Sequence, residues 1–230
     1  MKTFVLCGGG GTRLRPYTLT APKPMLLMAG KPILYYIVEN LKKNGIGELI
    51  LTIGYLKEKI TDYFKDGKGF GLSIDYLVEN EPKKTAGSIL PKKNQIKETF
   101  VVVMGDTMND INLREMINEH KKNKAMATIC VINHKTQVEY GVVKVKDQIV
   151  EQFIEKPVIE HYINAGTYIF EPEIFDYIKD KEDFAKDVFP RLLKAGKKIH
   201  VYIHKGKWQD IGRISDYEKL KEEMENSKES

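Results

Sequence analysis

Four successive glycines, Gly8–Gly11, directly follow a short apolar run near the start of the chain, Thr3–Cys7. An apolar run bounded by glycine predicts a buried strand that ends in a loop. Because glycine has no Cβ, the backbone N–H groups of such a loop can turn inward and approach a bound phosphate. Three cationic side chains, Arg13, Arg15 and Lys23, follow closely. Cations beside a glycine loop suit a polyphosphate, and a plain flexible loop is the alternative.

The loop differs from the two common phosphate-binding fingerprints. A P-loop has Lys-Ser or Lys-Thr after its last glycine, whereas Thr12 and Arg13 stand here. The dinucleotide fingerprint opens a helix at its third glycine, but Pro16, Pro22 and Pro24 interrupt the residues where that helix would run. A phosphate site at this loop would therefore be of another kind.

Apolar runs and amphipathic helical patterns alternate through the first half of the chain. Glu48–Ile53 and Phe100–Met104 predict strands, and Ile33–Lys43 has the periodicity of a helix. This alternation is typical of a mainly parallel sheet covered by helices on both faces. From Tyr140 onward, strand patterns follow one another with little helix between them, which predicts an antiparallel extension. The predicted fold class is α/β, with a mixed, mainly parallel sheet.

Composition excludes several classes of protein. The 42% of hydrophobic and 30% of charged residues are ordinary for a globular chain and argue against disorder and coiled coil. No apolar run approaches the length of a membrane span, and the N-terminal residues lack the long apolar region of a signal peptide. Cys7 and Cys130 lie in apolar runs, which predicts buried free thiols. We expect a cytoplasmic protein with no disulfide and no membrane partner.

The formal net charge of +5 is compatible with nucleic acid, a membrane surface or small anionic substrates. The lysines are dispersed in pairs such as Lys42-Lys43 and Lys197-Lys198, and no nucleic-acid-binding motif accompanies them. A solvated, lysine-rich surface explains most of this charge. We therefore expect no nucleic-acid partner.

Five motifs in order along the chain resemble those of the sugar-1-phosphate nucleotidyltransferases, or NDP-sugar pyrophosphorylases. The first is the glycine loop with its cations, which reads CGGGGTRLRPYT from Cys7 and continues to PKPM. The others are Gly105-Asp106, Glu155-Lys156-Pro157, Asn164-Ala165-Gly166 and Trp208-Gln209-Asp210-Ile211-Gly212. Members of this family join a nucleoside triphosphate (NTP) to a sugar 1-phosphate, which gives an NDP-sugar and pyrophosphate. The pattern is closest to the short guanylyl- and thymidylyl-transferring members, and it implies their Rossmann-like nucleotide-diphospho-sugar transferase fold.

The resemblance implies three catalytic residues and a metal site. Arg13 and Lys23 would hold the triphosphate, Asp106 and Asp210 would ligate the cofactor Mg²⁺, and Lys156 would hold the sugar phosphate. Asp106 counts as the third catalytic residue. The chemistry is consistent with this set, because an attacking phosphate oxygen is already anionic and needs no general base. What the transfer needs is positioning of two polyanions and cations to offset their charge.

The implied nucleotide-binding residues form a longer set: Cys7, Gly8, Gly9, Gly10, Gly11, Thr12, Arg13, Lys23, Glu81, Thr85, Ala86 and Gly87. Within it, Lys83-Lys84 stand where the family usually has Leu-Gly, so the backbone contacts of this loop with the base are in question. The carboxylate of Glu81 suits the N–H donors of guanine, whereas uracil and thymine offer a single such donor. This favours GTP, and uridylyl or thymidylyl transfer to glucose 1-phosphate remains the alternative.

The implied sugar-phosphate-binding residues are Tyr140, Gly141, Glu155, Lys156, Asn164 and Gly166. Mannose 1-phosphate, or a similar hexose or heptose 1-phosphate, would be the second substrate. We expect one nucleotidyltransferase domain over residues 1–225, with a nucleotide-binding half over about 1–135 and a sugar-phosphate-binding half over about 136–215. A frayed tail is expected over 226–230. The motifs reach Gly212, so no additional acyltransferase domain is expected.

Other functions remain as alternatives to the enzyme. A catalytically silent homologue that senses NDP-sugar would typically lack the metal aspartates or the cationic pair, and all of these residues are present. His200 and His204 have zinc-like spacing only if they lie on a helix, whereas the residues between them predict a strand. Assembly into a homo-oligomer is open from the sequence.

Overall fold

The computed structural model of this protein describes residues 1–226. Its strands, in chain order, are β1 Lys2–Leu6, β2 Leu27–Met28, β3 Lys31–Pro32, β4 Glu48–Ile53, β5 Ser73–Val78, β6 Phe100–Met104, β7 Thr107–Asn109, β8 Ala127–Gln137, β9 Val142–Lys146, β10 Ile149–Ile154, β11 Val158–Phe170, β12 Ile199–His204 and β13 Trp208–Asp210. Its α-helices are α1 Ile33–Lys43, α2 Glu58–Phe64, α3 Lys84–Gly87, α4 Leu113–Asn123, α5 Phe189–Lys194 and α6 Ile214–Asn226. Short 3₁₀ turns and one π-helical turn, Phe184–Val188, complete this part of the chain.

Within residues 1–226, seven strands form one mixed sheet in the order β12-β8-β11-β6-β1-β4-β5. Strands β6, β1, β4 and β5 run parallel, with Thr3 of β1 paired to Leu49 of β4 and to Val101 of β6. Strand β11 is antiparallel to both of its neighbours, β6 and β8, and β12 is parallel to β8. The predicted α/β class, with a mainly parallel sheet and an antiparallel extension, is confirmed.

The core lies on both faces of this sheet. Successive residues of a strand point to opposite faces, so Phe4 packs with the cluster around Phe100 and Val5 with the cluster around Leu34. A strand buried on both faces is therefore apolar along most of its length. Helix α1 covers one face with a buried stripe at helical spacing, from Ile33 to Leu41. None of the helices within residues 1–226 is long and apolar enough to cross a bilayer.

Two strands are longer than their hydrophobic patterns predict. The sequence indicates strands over Met126–Ile132 and Ile163–Phe170, whereas β8 continues to Gln137 and β11 begins at Val158. The added residues are paired in register, for example Glu160 with Lys135. They lie outside the core and are exposed. A strand with no buried face has no reason to alternate between apolar and polar residues, so periodicity misses it.

The two elongated strands lead into a protruding hairpin. Strands β9 and β10 form a two-stranded sheet of their own, and every residue in both strands is exposed. We call residues 133–162, which include this hairpin and the outer parts of β8 and β11, the arm. At the other end of the chain, Asn226 closes α6, and residues 227–230 of the predicted frayed tail lie outside the described residues.

Candidate active site

The glycine loop leaves the carboxyl end of β1 and is anchored on one side only. Gly11 has φ +60°, and a Cβ there would lie 2.8 Å from Cγ2 of Thr18, whose hydroxyl donates to the Gly11 carbonyl at 2.9 Å. The following 3₁₀ turn, Thr12–Leu14, buries Leu14 and leaves Arg13 exposed. A Cβ on Gly9 or Gly10 would meet nothing within 4 Å. The loop therefore has a fixed inner side and an open outer side.

Lys23 connects the loop region to two aspartates. Its side chain is buried between Pro22 and Pro24, with only 7% of the residue exposed. The ammonium Nζ donates to Oδ2 of Asp106 at 2.6 Å and lies 3.6 Å from Oδ1 of Asp210. This buried ammonium group thus holds two carboxylates together at the edge of the sheet.

Backbone geometry explains why these aspartates meet. Strand β6 ends at Met104, and the N–H of the next residue, Gly105, donates to the Leu6 carbonyl of β1 at 2.9 Å. A Cβ on Gly105 would lie 2.8 Å from that carbonyl oxygen, so only glycine permits this close approach. The short ribbon of β7 and β13 then pairs Thr107 with Asp210, which places Asp210 beside Asp106. Ligand sites of open α/β sheets form at this end of the strands.

The two carboxylates suit a hard divalent cation. Mg²⁺ is typically held by one or two carboxylates together with substrate phosphates and waters. Within residues 1–226 there is no cluster of three or more His, Cys, Asp or Glu side chains able to hold a metal without such help. Asp106 and Asp210 already share one cationic partner, so their oxygens converge on a common point. This donor set fits Mg²⁺ bound jointly with a phosphate ligand.

Two adjoining cavities share Arg13 and Asp106 as lining residues. The first, of about 260 Å³, is bounded by the glycine loop and Lys23. The second, of about 310 Å³, is also lined by Asn164, Gly166, Tyr168, Asp183, Trp208 and Asp210. The two cavities thus meet at one cation and one carboxylate.

The predicted sugar segment Asn164–Gly166 shapes the second cavity. Gly166 has φ +74°, and its N–H donates to Oδ1 of Asn164 at 3.0 Å. The Asn164 amide donates to the Tyr168 hydroxyl at 2.7 Å, and the Trp208 indole donates to the Ala165 carbonyl at 3.0 Å. The pairing register of β11 with β8 shifts between Asn164 and Tyr168. This irregularity lies where β11 passes from its exposed outer part to its buried inner part, and Asn164, Ala165 and Gly166 there line the cavity.

The predicted base loop, residues 81–87, is hydrogen-bonded to Glu182 and Asp183, which directly precede the π-helical turn. The N–H groups of Ala86 and Gly87 both donate to the Glu182 carbonyl, at 2.9 and 3.0 Å. The Thr85 hydroxyl donates to Asp183 at 2.8 Å, and Thr85 lines the second cavity. Lys84 has φ +58°, a left-handed conformation that suits the glycine usual in the family. The structure therefore uses the N–H groups of Ala86 and Gly87 internally.

Glu81 lies at the surface, away from both cavities. Its carboxylate is within 3.1 Å of the Lys83 ammonium and 2.8 Å of the Lys181 ammonium. These two lysines lower the pKa of Glu81, first through the hydrogen bond from Lys181. Lys83, which stands where the family usually has leucine, thus forms a surface ion-pair network with Glu81 and Lys181.

Glu79 is a carboxylate beside the loop that sequence reasoning missed. It directly follows β5, and its N–H donates to the Ile53 carbonyl at 2.7 Å, which keeps it in line with the sheet. A Cβ on Gly8 would lie 2.8 Å from the Glu79 carboxylate, so the glycine makes room for it. Burial raises the pKa of Glu79. The sequence does hold a signal for Glu79, because this residue directly follows the predicted strand. Glu81 stands two residues farther from the strand end.

The structure places the remaining residues of the predicted sugar-phosphate site on the arm, outside the lining of both cavities. Tyr140 is 79% exposed. A Cβ on Gly141 would lie 2.8 Å from Oε2 of Glu155, so the two ends of the hairpin meet there. Lys156, between β10 and β11, has φ +45°.

Cys7 lies under the loop as an inert thiol. It is 2% exposed, and burial, with the nearby carboxylates of Asp106 and Glu79, raises the pKa of its thiol. The protonated, buried side chain therefore fills space beneath the first cavity, which it helps to line.

Comparison with known proteins identifies relatives with named activities. A UTP–glucose-1-phosphate uridylyltransferase from Synechocystis sp. is 34% identical over 238 residues, covering 94% of this chain and 61% of that protein. A mannose-1-phosphate guanyltransferase from Schizosaccharomyces pombe is 34% identical over 227 residues, covering 94% of this chain and 62% of that protein. This chain thus spans less than two thirds of the length of these curated relatives.

Solved structures of similar size match as well. The crystal structure of HddC from Yersinia pseudotuberculosis is 30% identical, has a TM-score of 0.78, and covers 96% of this chain and 98% of that chain. HddC complexed with GMP-PN gives a TM-score of 0.76 at the same identity and coverage. The nucleotidyl transferase family profile matches residues 2–227. With the motifs, the fold and these relatives in agreement, the chain belongs to the nucleotidyl transferase family.

Proposed function

We propose that this chain transfers a nucleotidyl group from an NTP to a sugar 1-phosphate in the cytoplasm, giving an NDP-sugar and pyrophosphate. The observation that carries the proposal is the pair of cavities that share Arg13 and Asp106. A transfer between two substrates needs two sites that meet where the bond is exchanged. The relatives named as uridylyl- and guanylyltransferases support the same reaction class.

The first cavity would hold the triphosphate. Backbone N–H groups of the glycine loop would donate to the phosphates from its open outer side. Arg13 and Lys23, which line the same cavity, would supply cationic donors. These groups would orient the α-phosphorus toward the second cavity and offset charge on the departing pyrophosphate. In this proposal the nucleotide binds mainly to residues 1–135, and Gly212 also lines the first cavity.

Asp106 and Asp210 would hold Mg²⁺ together with the phosphates of the substrates. When bound, the ion would reduce repulsion between the two polyanions and stabilise charge on the transferring group. Without ligands, Lys23 compensates the two carboxylates. Lys23 thereby holds the two carboxylates close together before a phosphate binds.

The second cavity would hold the sugar, through Asn164, Asp183 and the backbone at Gly166. Lys156 would hold the sugar phosphate from the arm. We expect Lys156→Met to raise KM for sugar 1-phosphate by about 10- to 100-fold, because a charge-assisted contact to phosphate is lost. KM for the NTP should stay within about 2-fold of the wild-type value.

The control for this prediction is Lys146→Met, which removes an exposed lysine from strand β9 of the same arm. Steady-state kinetics with each substrate varied in turn separates the two effects. An equal rise in both KM values for Lys156→Met, or a change confined to the NTP, would contradict the assignment of Lys156.

We propose guanylyl transfer, with Glu79 as the carboxylate that accepts from the guanine N–H groups. Its place beside Gly8 and its burial support this role better than the exposed, ion-paired position of Glu81. The S. pombe relative is named a guanyltransferase, and the HddC structure contains GMP-PN. Mannose 1-phosphate or a similar sugar phosphate would be the acceptor.

Glu79→Gln should lower kcat/KM for GTP by about 10²-fold, because an amide cannot accept two N–H donors as a carboxylate does. Glu81→Gln is the matched control and should change kcat/KM for GTP by less than about 2-fold. Because burial raises the pKa of Glu79, KM for GTP should increase as the pH falls toward that raised value. If Glu81→Gln gave the larger loss, Glu81 would be the base-contacting carboxylate instead.

The proposed reaction can be tested by pyrophosphate release from every pairing of four NTPs with mannose, glucose, N-acetylglucosamine and heptose 1-phosphates. We expect one favoured pair that contains GTP. Activity with UTP or dTTP and glucose 1-phosphate would keep the reaction class and overturn the base assignment. Silence with all pairs, together with tight binding of an NDP-sugar, would instead identify a regulatory binding protein.

A further inference from the structure

The chain between the glycine loop and α1 carries both cations of the proposed triphosphate site but has little regular structure. Residues 12–28 form three short 3₁₀ turns and the two-residue strand β2, outside the seven-stranded sheet. We call these residues the cation segment, because they include Arg13 and Lys23. Strand pairing fixes this backbone only at β2, which pairs with β3. The placement of the two cations therefore depends largely on contacts with the rest of the protein.

A tyrosine hydroxyl fixes the turn that follows the glycine loop. Tyr55, in the connection between β4 and α2, donates to the Thr18 carbonyl at 2.9 Å. The hydroxyl of Thr18 in turn donates to the Gly11 carbonyl at 2.9 Å. The first half of the cation segment is thus linked both to the glycine loop and to the chain that follows β4.

Two further tyrosines fix the second half of the cation segment. Tyr36 of α1 donates to the Met28 carbonyl at 2.7 Å, and Tyr217 of α6 donates to the Leu27 carbonyl at 2.9 Å. These neighbouring carbonyls follow the 3₁₀ turn that begins at Lys23, so the two hydroxyls hold the chain on the carboxyl side of that turn. We call the three residues the anchor tyrosines: Tyr36, Tyr55 and Tyr217.

Helix α6 contacts the cation segment a second time. The Tyr17 ring lies 5.0 Å from the Tyr217 ring, and the Tyr17 hydroxyl donates to Oε1 of Glu218 at 2.8 Å. The same helix follows closely on β13, which carries Asp210. One helix therefore joins the cation segment to the strand that carries a carboxylate facing Lys23.

We propose that the anchor tyrosines are positioning residues that hold the two cations in the arrangement that binds a triphosphate. None of the three lines either cavity, so each acts on the phosphates only through the backbone that it holds. Without these hydroxyls, the cation segment samples positions in which Arg13 and Lys23 are not aligned. The apparent affinity then falls with the fraction of molecules that remain competent to bind. This inference rests on the proposed function, since it concerns how the first cavity binds phosphate.

The test replaces tyrosine by phenylalanine, which keeps the ring and removes the hydroxyl. The probe is inorganic tripolyphosphate with MgCl₂, which has the phosphates of an NTP and no base, and its Kd is measured by calorimetry. We expect Kd to increase about 3-fold for Tyr217→Phe and about 10-fold for the double variant Tyr55→Phe/Tyr217→Phe. In steady-state kinetics, KM for the NTP should increase likewise, while KM for the sugar 1-phosphate should stay within about 2-fold.

Tyr76→Phe is the matched control. The Tyr76 hydroxyl donates to the Lys65 carbonyl at 2.6 Å, which is a bond of the same kind outside the cation segment. Thermal unfolding should show comparable losses of stability for Tyr76→Phe and Tyr217→Phe. Only Tyr217→Phe should change Kd for tripolyphosphate by more than about 2-fold.

An unchanged Kd in the double variant would overturn the proposal, and so would an equal increase for Tyr76→Phe, which would indicate general loosening of the fold. If the double variant does not fold, Tyr217→Phe alone decides by the same criteria. A wild type that releases pyrophosphate from an NTP and a sugar 1-phosphate, with Kd unchanged in the variants, would overturn this inference and leave the proposed function standing. A wild type that neither binds tripolyphosphate nor turns over would overturn both.

Discussion

Asp106→Asn should lower kcat by about 10³-fold while the chain stays folded, because the site loses a negative charge that converges with Asp210 on one point. Asn keeps the size of the side chain and an oxygen that can accept from the Lys23 ammonium. The loss should therefore appear in turnover rather than in stability. Pyrophosphate release at saturating substrates measures the first, and thermal unfolding measures the second.

Asp110→Asn is the control for this prediction. Asp110 follows β7, is exposed, and does not line either of the two cavities. Its Oδ1 lies 3.0 Å from Nε2 of His204. It should keep wild-type kcat within about 2-fold. Turnover by Asp106→Asn at more than a tenth of the wild-type rate would contradict the metal assignment of Asp106.

Lys23→Met should lower kcat/KM for the NTP by about 10²-fold and make stability depend on magnesium. The buried ammonium is the cation that compensates Asp106 and Asp210 in the absence of ligands. Its removal leaves two carboxylates facing each other without a buried counter-charge, which costs roughly 2 kcal/mol in the free energy of unfolding. A divalent cation that binds only the folded state then restores stability by mass action.

The measurement is the melting temperature with and without MgCl₂. We expect the magnesium-induced increase to be larger for Lys23→Met than for the wild type, in which Lys23 occupies the same carboxylates. Lys31→Met is the control, since Lys31 is an exposed lysine that lies over the Tyr35 ring. An equal magnesium effect in both variants would show that Lys23 does not compensate the metal site.

The centre of the candidate site could be predicted from the sequence because its residues stand next to buried strands. Asp106 follows the apolar strand β6, and the glycine loop follows β1. Strands β1 and β6 are parallel neighbours, so their carboxyl ends lie side by side. Lys23, which follows the loop after β1, therefore contacts Asp106 although the two residues are 83 positions apart. The motif order then supplied Asp210, which β13 carries to the same edge.

The carboxylate beside the glycine loop and the arm could not be predicted in this way. Glu79 and Glu81 differ by two positions, and only the backbone hydrogen bond of Glu79 to Ile53 shows which one stays beside the loop. The outer residues of β8 and β11 lie beyond the core and are exposed on both sides of the strand. Their sequence therefore does not need to alternate between apolar and polar residues. The local sequence pattern reflects burial, so features that are set by long-range strand pairing leave little trace in it.

The most direct test of the proposed reaction is ³¹P NMR of the protein with GTP, mannose 1-phosphate and MgCl₂. If the two cavities exchange one nucleotidyl group, pyrophosphate and a sugar-linked diphosphate should appear in equal amounts. Both signals should be absent when the sugar phosphate is omitted. Release of pyrophosphate or inorganic phosphate without mannose 1-phosphate, or with no diphosphate-linked sugar, would contradict a transfer between the two sites.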